Sequence, residues 1–256
     1  MILFLGDIHG DFHTLKRNIN SKNISDCFII QVGDFGIGYY PNRDEDTLRE
    51  LDKFFRELNI VMLVVRGNHD DPYYFKGNHM LDNLKLLPDY TQLEVDGHNI
   101  LFVGGALSVD RKVSLGRMQL YARMGVSETL YWFDEGFVLD EDKLKDITGV
   151  EIVVTHTCPE WCYPNNKRGF GKFVLDFAKN DDTLLEELNQ ERAMLSKMFN
   201  ILEKNGNYIE RHYYGHFHRS EISINGPTTH TLLAINEFAE LDNYRDYEEI
   251  FNQKYK

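Results

Sequence analysis

The sequence predicts an α/β fold whose sheets mix parallel and antiparallel strands. Three observations predict it. Short apolar runs recur along the chain, helical periodicities fill several of the gaps between them, and an Asp-Gly and an Asn-Gly pair each sit between strand-like segments.

In order, the runs are "ILFL" at 2–5, "FIIQV" at 28–32, "IVMLVV" at 60–65, "ILFV" at 100–103, "EIVVT" at 151–155 and "HYY" at 212–214. Their length and β-branched content suit buried strands. Asp11 is placed to cap a helix over "FHTLKRNIN". Residues 44–58 put Leu48, Leu51, Phe55 and Leu58 on one helical face, and 181–204, with Leu184, Leu188, Met194, Leu195, Met198 and Leu202, is the clearest amphipathic helix. Asp96-Gly97 and Asn225-Gly226 are hairpin signals. The C-terminal "LDNYRDYEEIFNQKYK" reads as a docked surface segment, and no internal repeat or low-complexity tract is present.

No linker divides the 256 residues, so a single domain over 1–256 is expected. Hydrophobic residues make up 42% and charged residues 27%, and no apolar run approaches the roughly 18 to 20 residues of a membrane span, so no membrane partner is expected. "MILFLGDIHG" has neither a basic flank nor a small-residue cleavage site and reads as a first strand rather than a signal peptide. Cys27, Cys158 and Cys162 are too few for a disulfide framework, which suits a cytoplasmic, reducing location. A net charge of −13 argues against bulk nucleic-acid binding.

Five polar islands carry the chemistry. "GDIHG" (6–10), "GDFG" (33–36), "GNHD" (67–70), "TH" (155–156) and "GHFH" (215–218) each begin where an apolar run ends, the place where open α/β sheets put their ligands. Asp7, His9, Asp34, Asn68, His156, His216 and His218 form an oxygen and nitrogen donor set without thiolate. In extended backbone, Asp7 with His9 and His216 with His218 would each point to one side. Seven ligands exceed one tetrahedral shell and fit two metal ions sharing a carboxylate. Two carboxylates and two divalent ions sum to about +2, so the loaded site attracts phosphate and the empty one repels it.

The ordered set "GDIHG…GDFG…GNHD…TH…GHFH" resembles the calcineurin-like metallophosphoesterase superfamily over Asp7 to His218. The resemblance implies a four-layer αββα sandwich of two mixed sheets flanked by helices. It also implies one metal held by Asp7, His9, Asp34 and His218 and a second by Asp34, Asn68, His156 and His216. A hydroxide bridging the metals would attack phosphorus, with His69 as general acid or as donor to a phosphoryl oxygen. Two divalent or trivalent ions are the expected cofactors, manganese first, with iron, zinc or nickel also suited to these ligands. The expected function is two-metal hydrolysis of a phosphomonoester or phosphodiester on a phosphorylated small molecule, nucleotide or phosphoprotein. A nuclease or nucleotide phosphodiesterase of the same fold, and a non-catalytic binding protein that kept the fold, are the alternatives.

The sequence departs from the serine/threonine phosphatase branch at the second motif, where Ile37 and Gly38 stand in place of an Asp that orients the catalytic histidine and an Arg that grips phosphate. Asp70 or Asp71 is the candidate to orient His69. Arg66, Arg111, Arg117, Arg123 and Arg168 are candidate phosphate contacts, each weighed against a role as a solvated surface arginine. His13, His79, His98, His212 and His230 read as surface or strand histidines, Cys158 and Cys162 as buried thiols, and Trp161 and Tyr163 as packing residues.

Overall fold

Period-two alternation sorts the apolar residues of a strand between two faces, and this chain buries both. The computed structural model describes residues 1–39, 41–164 and 170–241, with backbone alone at 41 and 42. The first sheet is formed by β1 (Ile2–Leu5), β2 (Cys27–Gln31), β3 (Ile60–Val64) and β4 (Leu84–Leu86), with α1 (Phe12–Ser21) and α2 (Pro41–Glu57) between the first three strands. The second sheet draws on β5 (Thr91–Val95), β6 (His98–Val103) and β7 (Ile152–Thr155), with α3 (Arg111–Arg123) and α4 (Glu141–Leu144) before β7. After α5 (Lys172–Ala178) and α6 (Leu184–Lys204) the chain returns through β8 (Arg211–Tyr214), β9 (Glu221–Asn225) and β10 (Thr228–Leu232), and β11 (Phe238–Glu240) rejoins the first sheet.

The sheets are ordered β11-β1-β2-β3-β4 and β5-β6-β7-β8-β10-β9. β1 to β4 run parallel with β11 antiparallel at one edge; β6, β7, β8 and β10 run parallel between antiparallel β5 and β9. Leu3, Leu5, Ile29, Met62 and Val64 face Leu15, Ile19, Leu48, Leu51 and Phe55 of α1 and α2. On the opposite face, Ile2, Phe4, Ile30, Val32 and Leu63 meet Ile100, Phe102, Ile152, Val154 and Tyr213 of the second sheet, and the Phe4 and Tyr213 rings stack across the interface. Leu101, Val103 and Val153 turn outward to Leu195, Met198, Phe199 and Leu202 of α6. The layers are therefore helix, sheet, sheet and helix, as expected.

Both hairpins form. Val95 pairs with His98 around Asp96-Gly97, whose φ values of 50° and 83° suit a tight turn with the strands' own twist. Asn225 pairs with Thr228, so the second turn is centred one residue later than the sequence suggested, on Gly226-Pro227. The stretch 106–136 contains α3, whose only buried residues are Arg111 and Ser114. With no apolar stripe, it gave no periodic signal. No helix among the described residues is long and apolar enough to cross a membrane. The expected docked segment lies outside the described residues from 242 onward.

Candidate metal centre

The five islands leave the carboxyl ends of β1, β2, β3, β7 and β8, so both sheets supply donors to one rim of the sandwich. All seven candidate ligands converge there, in two groups. Asp7, His9, Asp34 and His218 bring donor atoms within 4.8 Å of one another, and so do Asp34, His156 and His216. Asp34 belongs to both. The Asn68 Oδ1 completes the second group, 3.1 Å from His156 Nε2 and 2.8 Å from His216 Nδ1. In the first group His9 Nε2 lies 2.9 Å from His218 Nε2, which is 3.3 Å from Asp7 Oδ2.

The convergence does not come from strand alternation. His9, Asp34, His216 and His218 have φ of 51°, 55°, 69° and 50°, a left-handed conformation that side-chain-bearing residues rarely adopt. Sharp turns just past the strands aim these side chains inward, which corrects the extended-pair expectation. Glycines clear the space. A Cβ on Gly67 would fall 2.1 Å from the Asp34 nitrogen, so Gly67 is required by close approach rather than by positive φ. A Cβ on Gly33, whose φ is +105°, would fall 2.3 Å from His156 Nδ1.

Surrounding hydrogen bonds set the lone pairs. The His156 ring donates Nδ1–H to the Val32 carbonyl at 2.9 Å, which leaves Nε2 as the inward donor atom. Asn68 donates Nδ2 to Ser108 Oγ at 2.9 Å, and that hydroxyl donates to Glu135 at 2.8 Å, so the amide oxygen faces the two histidines. Asp7 accepts the backbone N–H of His216. A carboxylate shared by two groups, an amide oxygen and neutral imidazole edges are the donors that divalent first-row metals take.

Burial favours the neutral forms, and the ligand charges resist it. Burial opposes ionisation of Asp34, yet His156 beside it at 3.2 Å holds the carboxyl well below its ordinary range. Burial likewise opposes the His156 cation, and Asp34 overrides it, up to about 9. Burial drives His216 well below its ordinary value, and it also lowers His9. His218 is raised, chiefly by its hydrogen bond to Asp7.

His69 sits at the same rim. Its backbone N–H donates to Asp34 Oδ1 at 2.8 Å, and its ring lies 5.1 Å from that of His9. Neither aspartate expected to orient it does so. Asp70 accepts the backbone N–H groups of Phe35, Gly36, Ile37 and Gly67 and so ties the second island to the third, while Asp71 caps the turn at Pro72–Phe75 through Tyr73. The partner of the His69 ring is Tyr39, whose hydroxyl is 2.6 Å from Nδ1. Nothing in a "GYY" tripeptide marks that role. Ser108 and Glu135 likewise lie outside every motif.

Two candidate phosphate contacts are committed elsewhere. Arg66 is buried against Asp89 and the carbonyls of Asp134, Glu135 and Gly136, and Arg111 is paired with Asp181 and Glu187. Arg117 and Arg123 are exposed on α3, and Arg168 lies outside the described residues.

A third group, Cys162, His212 and His230, also has metal-ligand composition. Its hydrogen bonds argue against that role. Trp161, which can only donate, gives its N–H to His230 Nε2 at 3.2 Å; His230 Nδ1 meets His212 Nδ1 at 2.9 Å; His212 Nε2 meets Thr155 Oγ1 at 2.8 Å, and Thr155 donates to the Thr157 carbonyl. With a fixed donor at one end and a fixed acceptor at the other, every proton is placed and both rings are neutral, in keeping with burial lowering both. The chain braces the residues on either side of His156.

The model of the calcineurin-like phosphoesterases matches residues 1–220. No curated protein sequence matches the chain significantly. Among solved structures, the phosphopantetheinyl hydrolase of Mycobacterium tuberculosis aligns over 92% of this chain and 89% of its own, at 14% identity and a TM-score of 0.46. A Thermotoga maritima protein solved in solution aligns over 94% and 92%, at 17% and 0.37. A putative 5'-nucleotidase from Staphylococcus aureus aligns over 95% and 51%, at 14% and 0.42. Likenesses of this strength carry no argument about activity. The family match spans most of the chain, including every residue of the centre described above, and the chain belongs to the calcineurin-like phosphoesterase family.

Proposed function

We propose that this protein hydrolyses a phosphoester with two metal ions, one held by Asp7, His9, Asp34 and His218 and the other by Asp34, Asn68, His156 and His216. The observation that carries the reading is the position of Asp34, common to both groups of convergent donors. Bound ions supply positive charge for the phosphoryl oxygens and lower the pKa of water enough to give a nucleophile at neutral pH. Asp34 belongs to both groups and, through the His69 N–H, ties His69 to them. His69 would give a proton to the leaving oxygen or donate a hydrogen bond to a phosphoryl oxygen. Substrates are phosphorylated small molecules, nucleotides or phosphoproteins, as monoesters or diesters. Manganese suits the donor set, and the same reading keeps 1–256 as one domain acting in the cytoplasm.

The test is hydrolysis of p-nitrophenyl phosphate and bis-p-nitrophenyl phosphate after chelation and return of Mn²⁺. Asp34→Asn and His156→Ala are expected to lose it, while His69→Ala keeps the metal and loses roughly 10² to 10⁴ in rate. Variants of Asp34 and His156 as active as the parent would remove the mechanism. Preference for the diester would point to nucleotides.

A further inference from the structure

We propose that Tyr39 is the positioning residue for His69: its hydroxyl donates to Nδ1 and so keeps the imidazole proton on Nε2, the nitrogen left free for a substrate. The inference rests on the reading of His69 as a donor to a phosphoryl oxygen, the role that a neutral imidazole with its proton on Nε2 can fill.

The local chain path explains why a tyrosine stands there. Ile37 is fully buried in the core against the helices of the first sheet, so its side chain turns away from the rim. Gly38 has φ +110°, and a Cβ there would fall 2.2 Å from the Asp71 Cβ, which bars an arginine at this point of this path. The next residue is the one delivered beside His69. Trp132, itself 8% exposed, packs edge-on against the Tyr39 ring at 5.1 Å between centroids and fixes its tilt.

The direction of the hydrogen bond follows from its partners. Among the described residues, the Tyr39 hydroxyl has no contact within hydrogen-bonding distance other than His69 Nδ1, at 2.6 Å. If Nδ1–H donated to the phenol, the phenolic proton would have no protein acceptor. If the phenol donates, both groups are satisfied and the ring proton resides on Nε2. Burial first, then the carboxylates of Asp34, Asp70, Asp110 and Glu135, push the phenol far above its ordinary value, so it stays a neutral donor. An aspartate in this place would instead accept from Nδ1–H and stabilise the imidazolium. A neutral phenol orients the ring without adding charge to a centre that already holds two carboxylates.

Tyr39→Phe keeps the ring and its contact with Trp132 and removes only the hydroxyl. In ¹⁵N-histidine-labelled, metal-free protein, with the His69 signal assigned by its loss in His69→Ala, long-range ¹⁵N–¹H correlations are expected to show the Nε2–H tautomer in the parent and a mixture in Tyr39→Phe. A parent with the proton on Nδ1, or a tautomer unmoved by the substitution, would overturn the proposal. In the Mn²⁺-loaded enzyme, Tyr39→Phe is expected to lose about tenfold on phenyl phosphate and on p-nitrophenyl phosphate alike, the worth of one hydrogen bond to the phosphoryl group, and a loss that grew with the basicity of the leaving group would mean that His69 acts as a cation, which a phenol donating to Nδ1 excludes. In the His69→Ala background the same change is expected to cost nothing further. Additive losses would mean that Tyr39 acts on something other than His69. Should His69→Ala leave both rates intact, the role of His69 as a donor falls, and the tautomer measurement still decides whether Tyr39 sets the ring proton.

Discussion

Gly33→Ala perturbs one half of the centre from outside it. The added Cβ would lie 2.3 Å from His156 Nδ1, 2.5 Å from Cγ and 2.8 Å from Cβ. Ordinary contact begins near 3.4 Å, so the imidazole must retreat by about 1 Å. Its hydrogen bond to the Val32 carbonyl, now 2.9 Å, anchors it to the residue next to the substitution and cannot follow that shift. A misplacement of that size at a reacting centre costs on the order of 10²-fold in rate, and positive φ adds backbone strain of about 1 to 2 kcal/mol. Gly97→Ala is the control: it has φ +83° with nothing within 4 Å of the new Cβ, so it carries similar strain without the clash. Binding of Mn²⁺ to chelated protein, counted by atomic spectroscopy after desalting, is the assay. Gly33→Ala is expected to lose the ion of the His156 group, keep the ion of the Asp7, His9 and His218 group and lose at least about 10²-fold in hydrolysis, while Gly97→Ala keeps both ions and its rate. Two ions and parental activity in Gly33→Ala would refute the role assigned to His156 and the packing behind it.

Ser108→Ala removes the acceptor that holds the Asn68 amide, and is expected to weaken Mn²⁺ binding by about 10 to 100-fold in calorimetric titration while leaving the fold intact. Removing metal is expected to lower Tm by several degrees, since an ion at about 100 times its Kd contributes about 2.7 kcal/mol per site; a Tm indifferent to chelator would contradict occupancy. Burial pushes Glu135 up to about 8 and Glu191 to about 7 from 4.5, against the backbone N–H groups that favour their charge. The folded protein thus holds protons that the unfolded chain releases, and stability conferred below about pH 4.5 is lost as pH rises to about 7 and 8. In urea unfolding of chelated protein, Glu191→Gln is expected to flatten the part of this decline up to about pH 7, and an unchanged slope would show that Glu191 is ionised in the fold.

Most of the centre was legible because its residues are unusual where they stand. Asp7, Asp34, Asn68 and His156 directly follow apolar strands, where a structural explanation for such clusters is weak, and their order along the chain narrowed the family. The layers came from the resemblance rather than from a period, because β1 is apolar at every position from Ile2 to Leu5 and β4 and β11, three residues each, are too short to show one. What escaped the sequence is what depends on loops. Tyr39, Ser108 and Glu135 reach the centre through turns whose path is fixed by distant contacts, such as Asp70 gathering the N–H groups of Phe35, Gly36 and Ile37. Asp70 was read as a partner of His69 because it is adjacent in sequence, yet it is needed to join two islands. Arg66 was one of five candidate phosphate contacts, yet it folds back to Asp89.

The most direct test of the central claim is a titration of chelated protein with Mn²⁺, following bound metal and phosphoester hydrolysis on the same samples. The account predicts two ions per chain, with hydrolysis rising as the second binds, and Asp34→Asn deficient in both. One ion at full activity, or two ions with neither monoester nor diester cleaved across aryl and nucleotide substrates, would contradict it.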